Sequence, residues 1–138
     1  MRPLQLHGHG RPLTIVKYNR EGDLIFSAAR DKSPNVWYSQ TGELLGSYDG
    51  HNGAVFDLDV DYNTERLITG SGDNTARLWD VKTGQSMHQW EFKTSVRSVQ
   101  FSLGDRSALI LTESRKDIPG VLNIFPIVSL DQERKLVF

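Results

Sequence analysis

The stretch from Gly50 to Gly84, GHNGAVFDLDVDYNTERLITGSGDNTARLWDVKTG, decides the fold, because much of it has been written once before. Gly50-His51 repeats Gly8-His9, Asp73 repeats Asp31, Trp79 repeats Trp37, and Thr83-Gly84 repeats Thr41-Gly42, all at a shift of 42 without a gap. A third copy is looser. Leu13-x-x-Val16-x-Tyr18 aligns with Val55-x-x-Leu58-x-Val60 and again with Val96-x-x-Val99-x-Phe101, the last step being 41. Asn123-Ile124-Phe125 then matches Arg77-Leu78-Trp79 at 46, which places an insertion of about five residues in Glu113–Val121. A repeat is the first thing to establish, since each copy is one supersecondary unit that cannot bury its apolar face alone.

Within each copy the apolar residues alternate, over Leu13–Tyr18, Leu24–Ser27, Val55–Val60, Leu67–Thr69, Val96–Phe101 and Ala108–Leu111. Alternation means half-buried strands, and the Asp, Gly, Asn and Pro residues between them are turn formers. No sustained helical stripe runs through the chain. Short strands at a period near 42 predict an all-β protein built of propeller blades. The units are residues 8–49, 50–91 and 92–138, the last including a trailing linker. Residues 1–7 sit where Leu45–Asp49 would fall one repeat later, and read as the outer strand of a closing blade whose inner strands are missing.

Composition narrows the function. The 138 residues carry 38% hydrophobic and 24% charged side chains and a net charge of −1, an ordinary globular balance. That charge predicts no direct binding to nucleic acid. Cysteine is absent, which excludes disulfides, thiol nucleophiles and cysteine-held metal. No apolar run reaches the ~20 residues of a membrane helix, and the first residues lack a signal-peptide core. A cytoplasmic protein without membrane contact is the expectation. Charge is uneven: residues 1–42 carry +3, 43–84 carry −5 and 85–138 carry +1. A basic unit beside an acidic one reads as solvated surface or a docking face for a charged partner.

Gly-His, Asp and Trp-Asp at these spacings resemble the WD40 repeat family. The first copy departs in Trp37-Tyr38, the third in Phe125-Pro126 and in lacking Gly-His. A narrower resemblance lies in His9-Gly-Arg-Pro-Leu13, Lys17-Tyr-Asn-Arg-Glu-Gly-Asp-Leu24, Asn35-Val-Trp-Tyr-Ser39 and Gly50-His-Asn-Gly-Ala-Val55. These look like the opening blades of the family of eukaryotic translation initiation factor 3 subunit I, and Pro119–Ile124 resembles its fungal members. The resemblance implies three four-stranded blades of an incomplete seven-bladed ring. It implies a non-catalytic scaffold acting at the small ribosomal subunit in mRNA and initiator tRNA recruitment, with subunits B and G of the factor as partners. A WD40 adaptor of another complex, such as a signalling scaffold, is the alternative.

The resemblance also implies a structural relay, in which a Trp N–H reaches a Ser or Thr hydroxyl, the hydroxyl a His, and the His an Asp. The sequence selects the hydroxyl. Four residues before each Asp stand Ser27 and Thr69, whereas two before stand Ala29 and Ser71, so only the first position offers a hydroxyl twice. The assignments are His9, Ser27, Asp31 and Trp37, then His51, Thr69, Asp73 and Trp79. Ser, His and Asp are also triad types, but a site duplicated at a fixed spacing, each copy ending in Trp, reads as structure. No catalytic, cofactor or metal residue is expected. His7 and His9 share a strand face, yet His9 belongs to the relay. Asp57, Asp59 and Asp61 alternate opposite Phe56, Leu58 and Val60; without a glycine-punctuated calcium loop they read as the polar side of an inner strand, facing a channel or a gap between blades. Gly70-Ser71-Gly72 is not a phosphate loop, since no helix follows it. Tyr48 and Trp90 align and are expected against the next blade. Tyr38, in place of the Asp of Trp-Asp, is the candidate partner contact. Four blades are about the minimum for closure, so the 138-residue chain by itself is expected to expose a blade face and to associate.

Overall fold

Alternating patterns of this kind dictate antiparallel pairing. The computed structural model, which describes residues 3–127, contains eleven strands and no helix among those residues. β1 (Leu13–Tyr18), β2 (Leu24–Ala29), β3 (Asn35–Tyr38) and β4 (Leu44–Ser47) form one antiparallel sheet in chain order. β5 (Val55–Val60), β6 (Arg66–Ser71), β7 (Thr75–Asp80) and β8 (Ser86–Glu91) form a second of the same topology. β9 (Val96–Phe101), β10 (Ser107–Thr112) and β11 (Leu122–Pro126) form a third. Each innermost strand carries an irregularity at the same place: Leu13/Ile15, Val55/Asp57 and Val96/Ser98. The sheets are therefore superposable units.

The third sheet has three strands among the described residues; the fourth strand and the trailing linker expected after them lie outside the described residues. The outer strand expected over residues 1–7 is absent from Pro3 onward, since Pro3–Pro12 contains no strand. An outer strand needs an inner neighbour to accept its hydrogen bonds, and none stands beside this segment among the described residues. Leu6 instead lies over the β3–β4 turn, so close to Gly42 that a Cβ built there would sit 2.7 Å from its Cδ2. Gly42 and Gly84 adopt φ of 77° and 76°, and each amide closes its turn onto the carbonyl four residues back, Tyr38 and Asp80. Only glycine takes that conformation without strain.

The core lies between the sheets. Phe26, Ala28, Val36 and Tyr48 of the first face Val55, Leu58, Leu67 and Trp79 of the second. Ile68, Ala76, Leu78 and Trp90, on the other side of the second, face Val96, Val99, Phe101, Ala108 and Ile110 of the third. Each fully buried side chain of this size contributes about 1.5–3 kcal/mol, so the seams are the main source of stability. The expected insertion is the β10–β11 connection, which folds back on itself through a bridge between Arg115 and Ile118.

Candidate functional site

The second sheet brings its four marked residues into one chain of hydrogen bonds. Thr69 on β6 and Trp79 on β7 are staggered so that the indole Nε1–H donates to the Thr69 hydroxyl at 2.8 Å. The hydroxyl proton is then directed to His51 Nε2, 2.6 Å away, and His51 Nδ1–H to Asp73 Oδ2 at 3.0 Å. This direction is the one that leaves each group with a partner. Asp73 also accepts from the Asn52 amide (2.8 Å), the Thr75 amide (2.9 Å) and the Thr75 hydroxyl (2.5 Å). Burial pushes the Asp73 pKa up, but the hydrogen bonds from His51, Thr75 and Asn52 outweigh it and hold the carboxyl well below the usual range.

The glycine of Gly-His is fixed by the tryptophan. A Cβ on Gly50 would lie 3.0 Å from Trp79 Cη2 and 2.9 Å from Arg77 Nη1, and one on Gly8 would lie 2.6 Å from Trp37 Cη2. Neither glycine needs a left-handed backbone; both are required by the close approach of the ring.

His9, Ser27, Asp31 and Trp37 form the same chain in the first sheet, at 2.8 Å, 2.8 Å and 2.9 Å. It is less complete. Ser33 stands where Thr75 does but donates to Asp49 instead, at 2.7 Å. Asp31 Oδ1 is buried without a partner among the described residues. The third sheet carries an apolar replacement, of which the sequence reading placed Phe125 but not Phe92 or Ile110. At the places of His51, Thr69 and Trp79 stand Phe92, Ile110 and Phe125, and the two phenyl rings lie 6.1 Å apart within the same cluster. Trp90 stacks on Phe125 at 5.6 Å.

A Ser-His-Asp order invites comparison with a nucleophilic triad. Here the hydroxyl is locked by the indole N–H and sealed: Ser27 is 5% exposed and Thr69 fully buried. Chemically the arrangement satisfies polar groups and fixes turns against strands; it offers a substrate no approach to the hydroxyl.

The three alternating aspartates turn to the seams and turns. Asp57 accepts from the Val99 amide (2.8 Å) and the Ser98 hydroxyl (3.2 Å) of the third sheet. Asp59 accepts from the Phe101 amide at 2.8 Å and pairs with Lys17 of the first sheet at 3.4 Å. Asp61 closes the β5–β6 turn, accepting from the Glu65 and Arg66 amides. One acidic strand thus clips its neighbours on both sides. Among the described residues no group of three or more His, Asp or Glu side chains is arranged to hold a metal ion. His7 is exposed, and His88 packs edge-on against Trp90 at 4.7 Å.

Tyr48 and Trp90 sit in the two seams, and Tyr48 donates its hydroxyl to Val81 O of the second sheet at 2.9 Å. Burial, then the Asp80 charge, pushes its pKa far up. Tyr38 is half-buried, its hydroxyl 3.4 Å from Gln40. Asp80, at the equivalent place, caps a turn through the Lys82 and Thr83 amides, both at 3.0 Å. Overlooked in the sequence was a groove of about 580 Å³ between the three innermost hairpins, where Arg20 lies 4.2 Å over the exposed Tyr62 ring and Leu103 is fully exposed.

The model of the WD domain, G-beta repeat, matches residues 2–38 and 42–80. Among curated proteins the chain is similar to eukaryotic translation initiation factor 3 subunit I from several organisms. It is 48% identical to that of Schizosaccharomyces pombe over 127 residues, covering 92% of this chain and 39% of the relative. Identity is 50% with Mycosarcoma maydis over 127 residues, 92% of this chain and 37% of the relative. With Drosophila melanogaster it is 54% over 113 residues, 82% of this chain and 35% of the relative. The chain thus spans between a third and two-fifths of the length of these relatives.

Proposed function

Since the chain belongs to the WD40 repeat family, we propose that it acts as a non-catalytic protein-interaction scaffold, the subunit I component of eukaryotic translation initiation factor 3. The observation that carries this reading is 48–54% identity to proteins of that name over most of the chain. The physical chemistry agrees with it. The polar groups that resemble a triad are spent on holding sheets together, and the acidic strand on joining them. What remains for function is a rigid surface that other proteins can read. The partners are further subunits of the factor, B and G among them, and through them the small ribosomal subunit; the compartment is the cytoplasm. Tyr38 is the side chain we assign to partner contact, because it replaces a turn-capping aspartate with a half-buried aromatic ring whose hydroxyl lies 3.4 Å from Gln40.

Affinity purification of the tagged chain from cells that express it, followed by mass spectrometry, tests the reading. Co-purification of initiation factor 3 subunits is expected, and Tyr38→Ala should lower their yield without lowering the melting temperature. Recovery of signalling proteins in their place would refute the assignment. Turnover of a hydrolase substrate that Ser27→Ala abolishes without unfolding the protein would refute the non-catalytic part.

A further inference from the structure

Between β4 and β5 the chain runs from the relay histidine straight into Asn52-Gly53. Asn52 is exposed, and both residues lie in a bend outside any strand. The turn that holds Asp73 forces the glycine. A Cβ at position 53 would lie 3.0 Å from the Asp73 amide nitrogen and 3.3 Å from the Gly72 carbonyl carbon, backbone atoms that cannot give way. The bend is pinned on both sides of its central peptide link. The Asn52 amide donates to Asp73 Oδ2 at 2.8 Å, and the Gly53 carbonyl accepts from the Ser71 hydroxyl at 3.1 Å. Among the described residues, neither the Asn52 side chain nor the Gly53 amide makes a hydrogen bond.

A free side-chain amide followed by a free, unhindered backbone nitrogen is what asparagine deamidation requires, and asparagine is among the chemically labile residues. The other asparagines lack one part or the other. Asn19 spends its side chain on the β1–β2 turn, accepting from the Gly22 and Leu24 amides. Asn35 and Asn123 lie in strands and precede the branched Val36 and Ile124. Asn63 and Asn74 precede Thr64 and Thr75, whose amides are bonded to Asp61 O and Asp73 Oδ1. In the first and third units this place is taken by Gly10-Arg11 and Lys93-Thr94, so the second unit alone carries the pair.

We propose that Asn52-Gly53 is a site of spontaneous deamidation in the folded protein, and that the reaction loosens the relay of the second sheet. The Gly53 nitrogen gives up its proton and attacks Asn52 Cγ. The bond from Cγ to the side-chain nitrogen breaks, ammonia leaves with a proton, and a succinimide ring closes. Water then opens the ring. Cleavage between Cγ and the ring nitrogen gives aspartate. Cleavage between the main-chain carbonyl carbon and that nitrogen gives isoaspartate, whose backbone runs through Cγ. Either product adds a carboxylate to a residue whose own amide is bonded to the Asp73 carboxylate, and like charges oppose each other's ionisation. Isoaspartate also inserts a methylene between the Asn52 amide and the Gly53 carbonyl, so the bonds to Asp73 and from Ser71 cannot both keep their lengths. The inference rests on the relay and is independent of the subunit I reading.

Peptide mapping by mass spectrometry, on the parent chain and on Asn52→Ser held folded at mildly alkaline pH, tests this. Serine keeps the backbone amide that Asp73 uses and cannot close the ring. In the parent, position 52 should pass from amide to acid before any other asparagine, with isoaspartate among the products. Asp49-Gly50 can isomerise through a similar ring, but without the change in mass. The aged parent should acquire a fraction that melts below the fresh protein, growing with the converted fraction, whereas aged Asn52→Ser should melt as it did when fresh. An Asn52 that stays an amide in the folded chain while the guanidinium-unfolded chain converts would overturn the proposal. Converted protein that melts with the fresh parent would overturn the link to the relay.

Discussion

Replacing Thr69 with valine tests the relay most directly, because it removes one hydroxyl and almost no volume. Thr69 is fully buried, and its oxygen is the only relay atom that touches both Trp79 Nε1 (2.8 Å) and His51 Nε2 (2.6 Å). In the valine variant the indole N–H and the imidazole nitrogen are both stranded in a region closed to water. Each unpaired buried group costs about 1–3 kcal/mol, so the loss should be about 2–5 kcal/mol, a large share of the 5–15 kcal/mol typical of a domain. For a chain of this length that is a fall of roughly 10 °C or more in the melting temperature. Thr69→Ser keeps the hydroxyl and gives up one methyl, and should cost about 1 kcal/mol. Differential scanning fluorimetry on the three proteins, with urea titration for the free energies, decides the matter. A Thr69→Val protein that melts within about 2 °C of the parent would mean that the hydroxyl satisfies nothing that water could not, and the relay would lose its energetic role.

His51→Ala should cost about 1–3 kcal/mol and His9→Ala less, because the first relay is more open to water, the His9 and Asp31 side chains being 5% and 26% exposed against 0% and 9% for His51 and Asp73; equal losses in urea titrations would contradict the asymmetry. Asp73 is more acidic folded than unfolded, so its ionised form contributes stability that is fully present above the ordinary aspartate range and is lost progressively as pH falls from about 4 toward its lowered folded value. Urea midpoints measured from about pH 6 down to 3 should therefore drop less steeply for Asp73→Asn than for the parent. Gly70→Ala should cost about 1–3 kcal/mol by forcing its methyl into Val96, and Val96→Ala in the same chain should recover part of the loss; strictly additive losses would show that the two do not press on each other.

The sequence disclosed what lies within a sheet better than what lies between sheets. The relay was legible because all its members stand at fixed offsets inside one repeat and the hydroxyl position could be chosen by comparing two copies. Asn52 escaped notice because it acts through its backbone amide, which no side chain marks, and Thr75 because its counterpart Ser33 repeats the hydroxyl but turns it to Asp49. Phe125 aligns with Trp79 in the sequence, but Phe92 and Ile110 escaped because an apolar replacement conserves the space and changes the chemistry. The aspartates of β5 were placed on one face, facing a channel or a blade gap, but not with the amides of Val99 and Phe101 as their partners. Those contacts link residues 42 apart, a separation equal to the repeat, so in sequence they look like two copies of one position and not like a bond.

That separation also governs how the molecule is assembled. The side-chain clips between sheets, from Tyr48–Val81 to Asn19–Thr64, join residues 33 to 45 apart, and those of the second seam fall inside the same interval. Every sheet can therefore complete its own hairpins and then dock on the one made just before it, with the same loop-closure entropy each time. A chain emerging from its N-terminus can consolidate one unit per forty-odd residues synthesised, without waiting for its far end. The rate at which a nascent chain gains protease resistance should then rise in steps of one repeat.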